Sequence, residues 1–421
     1  MIPAPDAGQL LGLIVAALLL QAVGVAVLAI RQRQRAADRP DPAATDADPD
    51  PSTDLRQPLA WPGTRPWRVV ARQHEDLAQT QCSFLLEAVD GTPPPSFRPG
   101  QFLTFALDLP DARAPGGQRQ VTRCYSLSDR PGLPQLRVTI KRVPAPADHP
   151  EWPAGLSSNH FHDQVQVGDI LQVRAPSGHF HIDEDASVPA VLVAGGIGIT
   201  PMVSMLGWLI THQPARPVHL YYGLRSRREH AFQAHLQALQ ASHPALRLHV
   251  VYSRPEASDR LGVDHHHEGH VDLALLQRTL PHGRHRFFIC GPGAMMGTLV
   301  PALRAWGVPD EDIRFEAFGP ASVQRPAATA TRDASAARLP IRFQRSGRSL
   351  VWDGQDASLL DFAERHAVPI ESGCRSGGCG TCATRLIDGR VGYDGTPDHD
   401  VPAGHCLPCV ARPLTALVLE A

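Results

Sequence analysis

The chain has 421 residues, 43% of them hydrophobic, and a formal net charge of −2. At roughly 150 residues per domain, that length predicts about three domains, and the near-neutral charge removes any bulk electrostatic case for binding nucleic acid. Five of the eight cysteines lie between Cys374 and Cys409, with Cys82, Cys124 and Cys290 scattered, which argues against a secreted disulfide framework and for a reducing compartment.

Leu10 to Ile30 is apolar except for Gln21. As a helix its 21 residues would span about 31 Å, close to the thickness of a bilayer core. Arg31, Arg33 and Arg35 follow at once, and Asp6 is the charge that precedes it. The positive-inside rule then leaves the short N-terminus outside and everything after Arg31 in the cytoplasm. A cleaved signal peptide would need a basic start and a shorter apolar core. The expectation is an anchor over 1–31, with its helix at 10–30, that crosses the cell inner membrane once and makes the lipid bilayer a partner. Residues 32–64 are crowded with Ala, Asp and Pro and read as a disordered linker.

From Trp67 the pattern changes to short β-like runs, at Trp67–Val70, Phe84–Val89, Gln101–Leu107 and Leu136–Arg142, separated by Pro/Gly turns. They predict a closed antiparallel β-barrel over 65–185. Within it, Arg123, Tyr125, Ser126 and Ser128 follow one another along a strand. An aromatic ring, hydroxyls and a guanidinium in that order suit a flavin ring, its polar edge and a phosphate. Lys141 and then Gly155-Leu-Ser-Ser158-Asn-His-Phe-His follow, and after them a segment ending Ser-Gly-His179-Phe.

Residues 186–319 alternate strand and helix. Ala190–Ala194 reads as a buried strand running into Gly195-Gly196-Ile-Gly198-Ile-Thr200-Pro and an apolar helix to about Ile210. A glycine turn between strand and helix offers backbone N–H groups and a helix dipole to a dinucleotide pyrophosphate. Strands at His219–Gly223, Leu248–Tyr252 and Arg286–Cys290 complete an α/β doubly wound sheet. Cys290-Gly291-Pro292 opens the following helix, and Phe315-Glu316-Ala-Phe318-Gly319 closes the domain. Arg225-Ser-Arg227-Arg228 follows the strand that approaches an adenine ribose, with no acidic residue before Glu229, which favours NADPH over NADH. Asp264-His-His-His-Glu268 with His270 reads as a solvated loop rather than a metal grip.

Residues 320–337 form a second Ala/Ser/Thr/Arg linker, and the last domain covers 338–421. It holds Cys374-Arg-Ser-Gly-Gly-Cys379-Gly-Thr-Cys382, with Cys406 and Cys409 following. C-x4-C-x2-C…C is the spacing of a plant-type [2Fe–2S] cluster, and the glycines let the backbone wrap closely round it. On spacing alone either Cys406 or Cys409 supplies the fourth thiolate.

Taken in order, these segments resemble the ferredoxin–NADP reductase superfamily, with flavin and nicotinamide domains like those of flavohaemoglobin reductases, fused to a C-terminal plant-type ferredoxin domain of α+β β-grasp fold. The resemblance implies that Arg123, Tyr125, Ser126, Ser128, Lys141, Gly155, Ser158 and Phe318 contact flavin. It assigns Gly195, Gly196, Gly198, Thr200, Arg225, Gly291 and Pro292 to nicotinamide binding, and makes Ser126, Cys290 and Glu316 the catalytic candidates. It places the cluster ligands at Cys374, Cys379, Cys382 and Cys409. His179 departs from the flavohaemoglobin pattern, where Asp is usual. The Gly155–Asn159 and Glu316–Pro320 segments resemble the FAD-using members rather than the FMN-using ones. The function implied is a membrane-anchored reductase passing electrons from NAD(P)H through FAD to the cluster, and on to a desaturase, hydroxylase, oxygenase or haem protein. A quinone-reducing membrane oxidoreductase and a non-catalytic redox sensor are the alternatives.

Overall fold

The computed structural model describes residues 60–110, 116–145, 149–151, 154–318, 338–375, 377, 379–393, 397 and 401–421. The expected anchor helix at 10–30 and both expected linkers, apart from residues 60–64, lie outside them. Among the described residues, no helix is long and apolar enough to cross a membrane.

The first six strands are β1 (Thr64–His74), β2 (Gln81–Ala88), β3 (Phe102–Pro110), β4 (Gln118–Ser126), β5 (Leu136–Lys141) and β6 (Ile170–Ser177). They form one antiparallel sheet in the order β4-β3-β6-β1-β2-β5. An isolated antiparallel bridge between Leu127 and Val138 joins its two edges and closes the barrel. Closure protects backbone groups that would otherwise face solvent at the edges. Inward residues such as Trp67, Phe84, Leu103 and Phe105 are fully buried and pack on Phe161 of helix α1 (Leu156–Asp163).

The second sheet is parallel throughout. Its strands are β7 (Ala190–Gly195), β8 (Val218–Leu224), β9 (Leu246–Tyr252), β10 (His267–Glu268), β11 (Arg286–Gly291) and β12 (Ile313–Ala317), in the order β10-β9-β8-β7-β11-β12. Every residue of β7 is buried, as expected for a central strand covered on both faces. The helices are α2 (Ile199–His212), α3 (Gln233–Ser242), α4 (Leu273–Thr279) and α5 (Gly293–Ala305). The chain winds outward from β7 to β10 and then returns to β11 on the other side of β7. The crevice at the carboxyl ends of β7 and β11 is therefore the switch point where ligands bind in such sheets.

The expected solvated loop at 264–268 is different in the structure. Asp264 and His265 are buried, His265 stacks on Tyr252 at 4.6 Å between centroids, and Asp264 pairs with Arg227 and Arg260. An aromatic neighbour and two arginines draw these polar residues in. Among the described residues no group of three or more His, Cys, Asp or Glu side chains is placed to hold a metal ion.

The last domain has β13 (Leu339–Phe343), β14 (Arg348–Trp352), β15 (Thr384–Asp388), β16 (Val391–Tyr393), β17 (His405–Cys406), β18 (Ala411–Pro413) and β19 (Leu417–Leu419). A mixed sheet in the order β14-β13-β19-β15-β17 packs Ile341, Phe343, Trp352 and Leu417 against Leu359 and Phe362 of helix α6 (Leu359–Arg365). Ser358 caps that helix by accepting from the Asp361 N–H at 3.2 Å.

Candidate functional site

Strand β4 carries the candidate flavin residues. Tyr125 packs edge-on to Phe105 and Phe161, with ring centroids 5.8 and 5.2 Å away. Burial pushes its phenol well above the usual range. The Ser126 hydroxyl is buried without a hydrogen-bond partner among the described residues. So is that of Ser157, next to Gly155 and Ser158 at the start of α1, a residue the sequence reading did not single out. Buried hydroxyls normally find partners, so two orphaned ones fit a polar ligand here. Arg123 donates to the Thr122 carbonyl at 2.7 Å. At Gly155 a Cβ would lie 2.6 Å from Ser158 Oγ and 2.8 Å from Val143 Cβ, so the turn into α1 depends on glycine. Ser128 is placed differently: it is fully buried, and its hydroxyl is engaged by Thr139 Oγ1 at 2.8 Å and the Arg137 carbonyl at 3.2 Å. It helps hold the barrel seam.

Lys141 and Arg225, one expected at flavin and the other at nicotinamide, meet on a single carboxylate. Lys141 Nζ lies 3.1 Å from Glu229, and Arg225 Nη2 lies 2.5 Å from it. Against burial, which would raise it, these cations hold the Glu229 carboxyl below its usual range. Glu229 was missed because its two partners lie in different domains.

At the switch point the glycines are required by contact. A Cβ on Gly198 would stand 2.1 Å from the Cys290 carbonyl oxygen, and one on Gly195 would stand 2.6 Å from Pro292 Cδ. On Gly291 it would meet Gly195 Cα at 3.0 Å. The two loops leave adjacent strands at one level, since Ala194 pairs with Cys290. Gly196 differs: its φ is +53° and no atom lies within 4 Å of its would-be Cβ, so it forms an open cradle of backbone. Thr200 Oγ1 donates to the Ile197 carbonyl at 3.0 Å and ties down the turn. This cradle fits a nicotinamide dinucleotide. The Cys290 thiol is fully enclosed in the sheet core, and burial, then Glu316 opposite it on β12, push its pKa well up. It is held protonated. Phe318 packs, partly buried, on the same core.

The cysteine loop brings its thiols together in pairs. The Cys374 N–H donates to Cys379 Sγ at 3.2 Å, and the Cys379 N–H to Cys374 Sγ at 3.3 Å. The sulfurs of Cys382 and Cys409 lie 3.1 Å apart. Two pairs of thiols with inward-turned amides fit a cluster of two irons. None of the eight cysteines forms a disulfide. Cys406 sits on β17 with its side chain in the core beside Ile341 and Phe343, where burial raises its pKa to about 12.

Comparison with known proteins agrees with this geometry. Residues 96–182 match the oxidoreductase FAD-binding domain family, 192–300 the oxidoreductase NAD-binding domain family and 341–414 the 2Fe-2S iron-sulfur cluster binding domain family. The chain is 36% identical over 264 residues to the flavohaemoprotein of Bordetella pertussis, covering 62% of each protein. It thus spans about three fifths of the length of the curated relatives it matches. Among solved structures, the flavohaem-like FAD/NAD-binding domain of the nitric oxide dioxygenase of Vibrio cholerae is 31% identical, with a TM-score of 0.53. That match covers 61% of this chain and all of that one, 100%. An intact type IV self-sufficient cytochrome P450 monooxygenase shares the fold over 87% of this chain and 43% of its own, at 22% identity and a TM-score of 0.55. The chain therefore carries FAD-binding and NAD-binding oxidoreductase domains similar to those of flavohaemoproteins, followed by a C-terminal 2Fe-2S domain, and is an NAD(P)H-dependent oxidoreductase with FAD and a [2Fe–2S] cluster as its cofactors.

Proposed function

We propose that this chain takes hydride from NADPH in preference to NADH. It delivers single electrons through the C-terminal domain to a protein acceptor, an oxygenase, desaturase, hydroxylase or haem protein, at the cytoplasmic face of the inner membrane. The observation that carries the reading is the contact between the cysteine loop and the flavin barrel, where Arg174 Nη1 donates to the Cys379 carbonyl at 3.3 Å. Flavin, when bound, accepts an electron pair as hydride and releases electrons singly, which is what joins nicotinamide to a one-electron cluster.

The residues serve that chemistry by position. Ser126 offers its unpaired hydroxyl to the polar edge of the flavin ring, and Tyr125 lies beside it. Gly195, Gly196, Gly198, Gly291 and Pro292 shape the dinucleotide cradle, and Thr200 fixes its turn. Arg225, ion-paired with Glu229 but with 61% of its side chain exposed, is the cation offered to a 2′-phosphate. Cys374, Cys379, Cys382 and Cys409 would hold the cluster. A haem acceptor accords with the flavohaemoprotein relatives, whose name pairs flavin with haem. Membrane attachment is supported by the apolar run Leu10–Ile30 and the arginines after it.

Anaerobic titration with NADPH and with NADH, followed optically and by electron paramagnetic resonance, tests the route. Flavin bleaching followed by a reduced-cluster signal is expected at lower NADPH than NADH. Bleaching with no cluster signal would sink the proposed path. The anchor is tested by an alkaline wash of native membranes, which should leave the chain in the pellet; its release would refute attachment through that helix.

A further inference from the structure

The cluster loop meets the barrel at one row of side chains. Thr104 on β3 pairs with Cys124 on β4 and with Arg174 on β6, so the three lie side by side across neighbouring strands. Successive residues of a strand point to opposite faces, so Cys124 faces away from the side that carries Tyr125. Thr104 Oγ1 lies 3.4 Å from Cys124 Sγ. Arg174 reaches the Cys379 carbonyl, and a Cβ on Gly373 would stand 3.4 Å from Thr122 Cγ2, the next residue of β4 on this face. The Cys124 side chain lies beside those of Cys374 and Cys379. One strand thus presents Arg123 and Tyr125 on one face, and on the other a non-ligand thiol beside the cluster cysteines, two residues before Ser126.

We propose that Cys124 is a positioning residue whose thiol donates a hydrogen bond to the sulfurs of Cys374 and Cys379, docking the cluster loop on the flavin strand and favouring reduction of the cluster. This rests on the reading of those cysteines as cluster ligands. Reduction adds one electron and increases the negative charge on the ligand sulfurs, so a donor aimed at them stabilises the reduced form more than the oxidised one. The electron originates in the hydride of the reduced nicotinamide. No bond is made or broken at Cys124, and its proton stays on the thiol.

The test uses the full chain purified anaerobically, as wild type, Cys124→Ala and Cys124→Ser. Iron and flavin content are measured first, then the cluster midpoint by dithionite titration under electron paramagnetic resonance. Iron content should be equal in all three. Cys124→Ala should make cluster reduction about tenfold less favourable, a midpoint lower by about 59 mV for one electron, with shifted g-values. Cys124→Ser, which keeps an O–H donor, should recover most of the difference. Thr104→Val, which removes the hydroxyl beside the thiol, should shift the midpoint in the same direction by less. Identical midpoints and spectra in wild type and Cys124→Ala would overturn the proposal. So would loss of iron in Cys124→Ala, since it would make Cys124 a ligand. A wild type that assembles no cluster would overturn the ligand reading itself, and this proposal with it.

Discussion

Cys406 and Cys409 are three residues apart, yet their side chains have different surroundings. Cys409 Sγ lies 3.1 Å from Cys382 Sγ, whereas Cys406 packs in the domain core. The expected outcome is that Cys409→Ser abolishes the cluster while Cys406→Ser retains it, read from iron content and the visible spectrum. Retention in both, or loss in Cys406→Ser alone, would reverse the assignment. The sequence left this pair open because C-x-x-C presents two equivalent thiols until the strand direction is known. Ser128 shows the opposite case. Its motif position proposed a flavin contact, but a partner eleven residues away, Thr139, takes up its hydroxyl. Cys290 was legible as a residue beside the dinucleotide loop, but the direction of its thiol into the core depends on a cluster built from four strands and two helices.

The strand-to-helix turns were legible as elements because they rest on local chemistry. β7 is an unbroken apolar run, and glycine follows it where the chain must turn. Their tight fit was not legible, because Gly198 faces Cys290, 92 residues away in sequence, at a distance set by strand pairing. Gly198→Ala should therefore cost about 3 kcal/mol through overpacking against backbone and reduce affinity for nicotinamide. Gly196→Ala meets no neighbouring atom and should cost only about 1 kcal/mol for its positive φ. Denaturant melts of the two variants check the order; equal losses would mean the loops part readily. β4 has the same lesson at larger scale. Its Arg-Cys-Tyr-Ser run reads as a flavin strand, and simple alternation already puts Cys124 on the face opposite Arg123 and Tyr125. What covers that face comes from a segment some 250 residues later and is invisible locally.

At the scale of the whole molecule, the barrel and nicotinamide domains are joined by specific bonds. Ser204 Oγ donates to the Asp129 carbonyl at 2.7 Å, Gln81 Nε2 to the Glu229 carbonyl at 2.9 Å, and Lys141 pairs with Glu229. Stability should also depend on pH through buried imidazoles. Burial, then neighbouring histidines, pushes His219 down to about 4 and His230 and His249 to about 3. An unfolded histidine titrates near 6.5. Above that pH both states are neutral and these groups have no effect. Below it the unfolded chain takes up protons that the fold refuses, so stability falls with pH down to about 4 to 3, by about 2 kcal/mol per histidine at pH 5. Thermal melts from pH 7.5 to 5.0 should show a falling midpoint, with a shallower slope in His249→Gln. A midpoint that stays level would refute this.

Through a family resemblance the sequence implied the flavin, and by itself it determined the domain order, the strand-turn-helix units and the spaced cysteine loop. Each depends on hydrophobic periodicity, on glycine at turns, or on several thiols close in the chain. Only the tertiary structure decided which cysteine joins Cys382, which hydroxyls near the flavin strand stay unpaired, and that Cys124 faces the cluster loop. Those are contacts between residues far apart in sequence, and their distances exist only once strand register and domain packing are set.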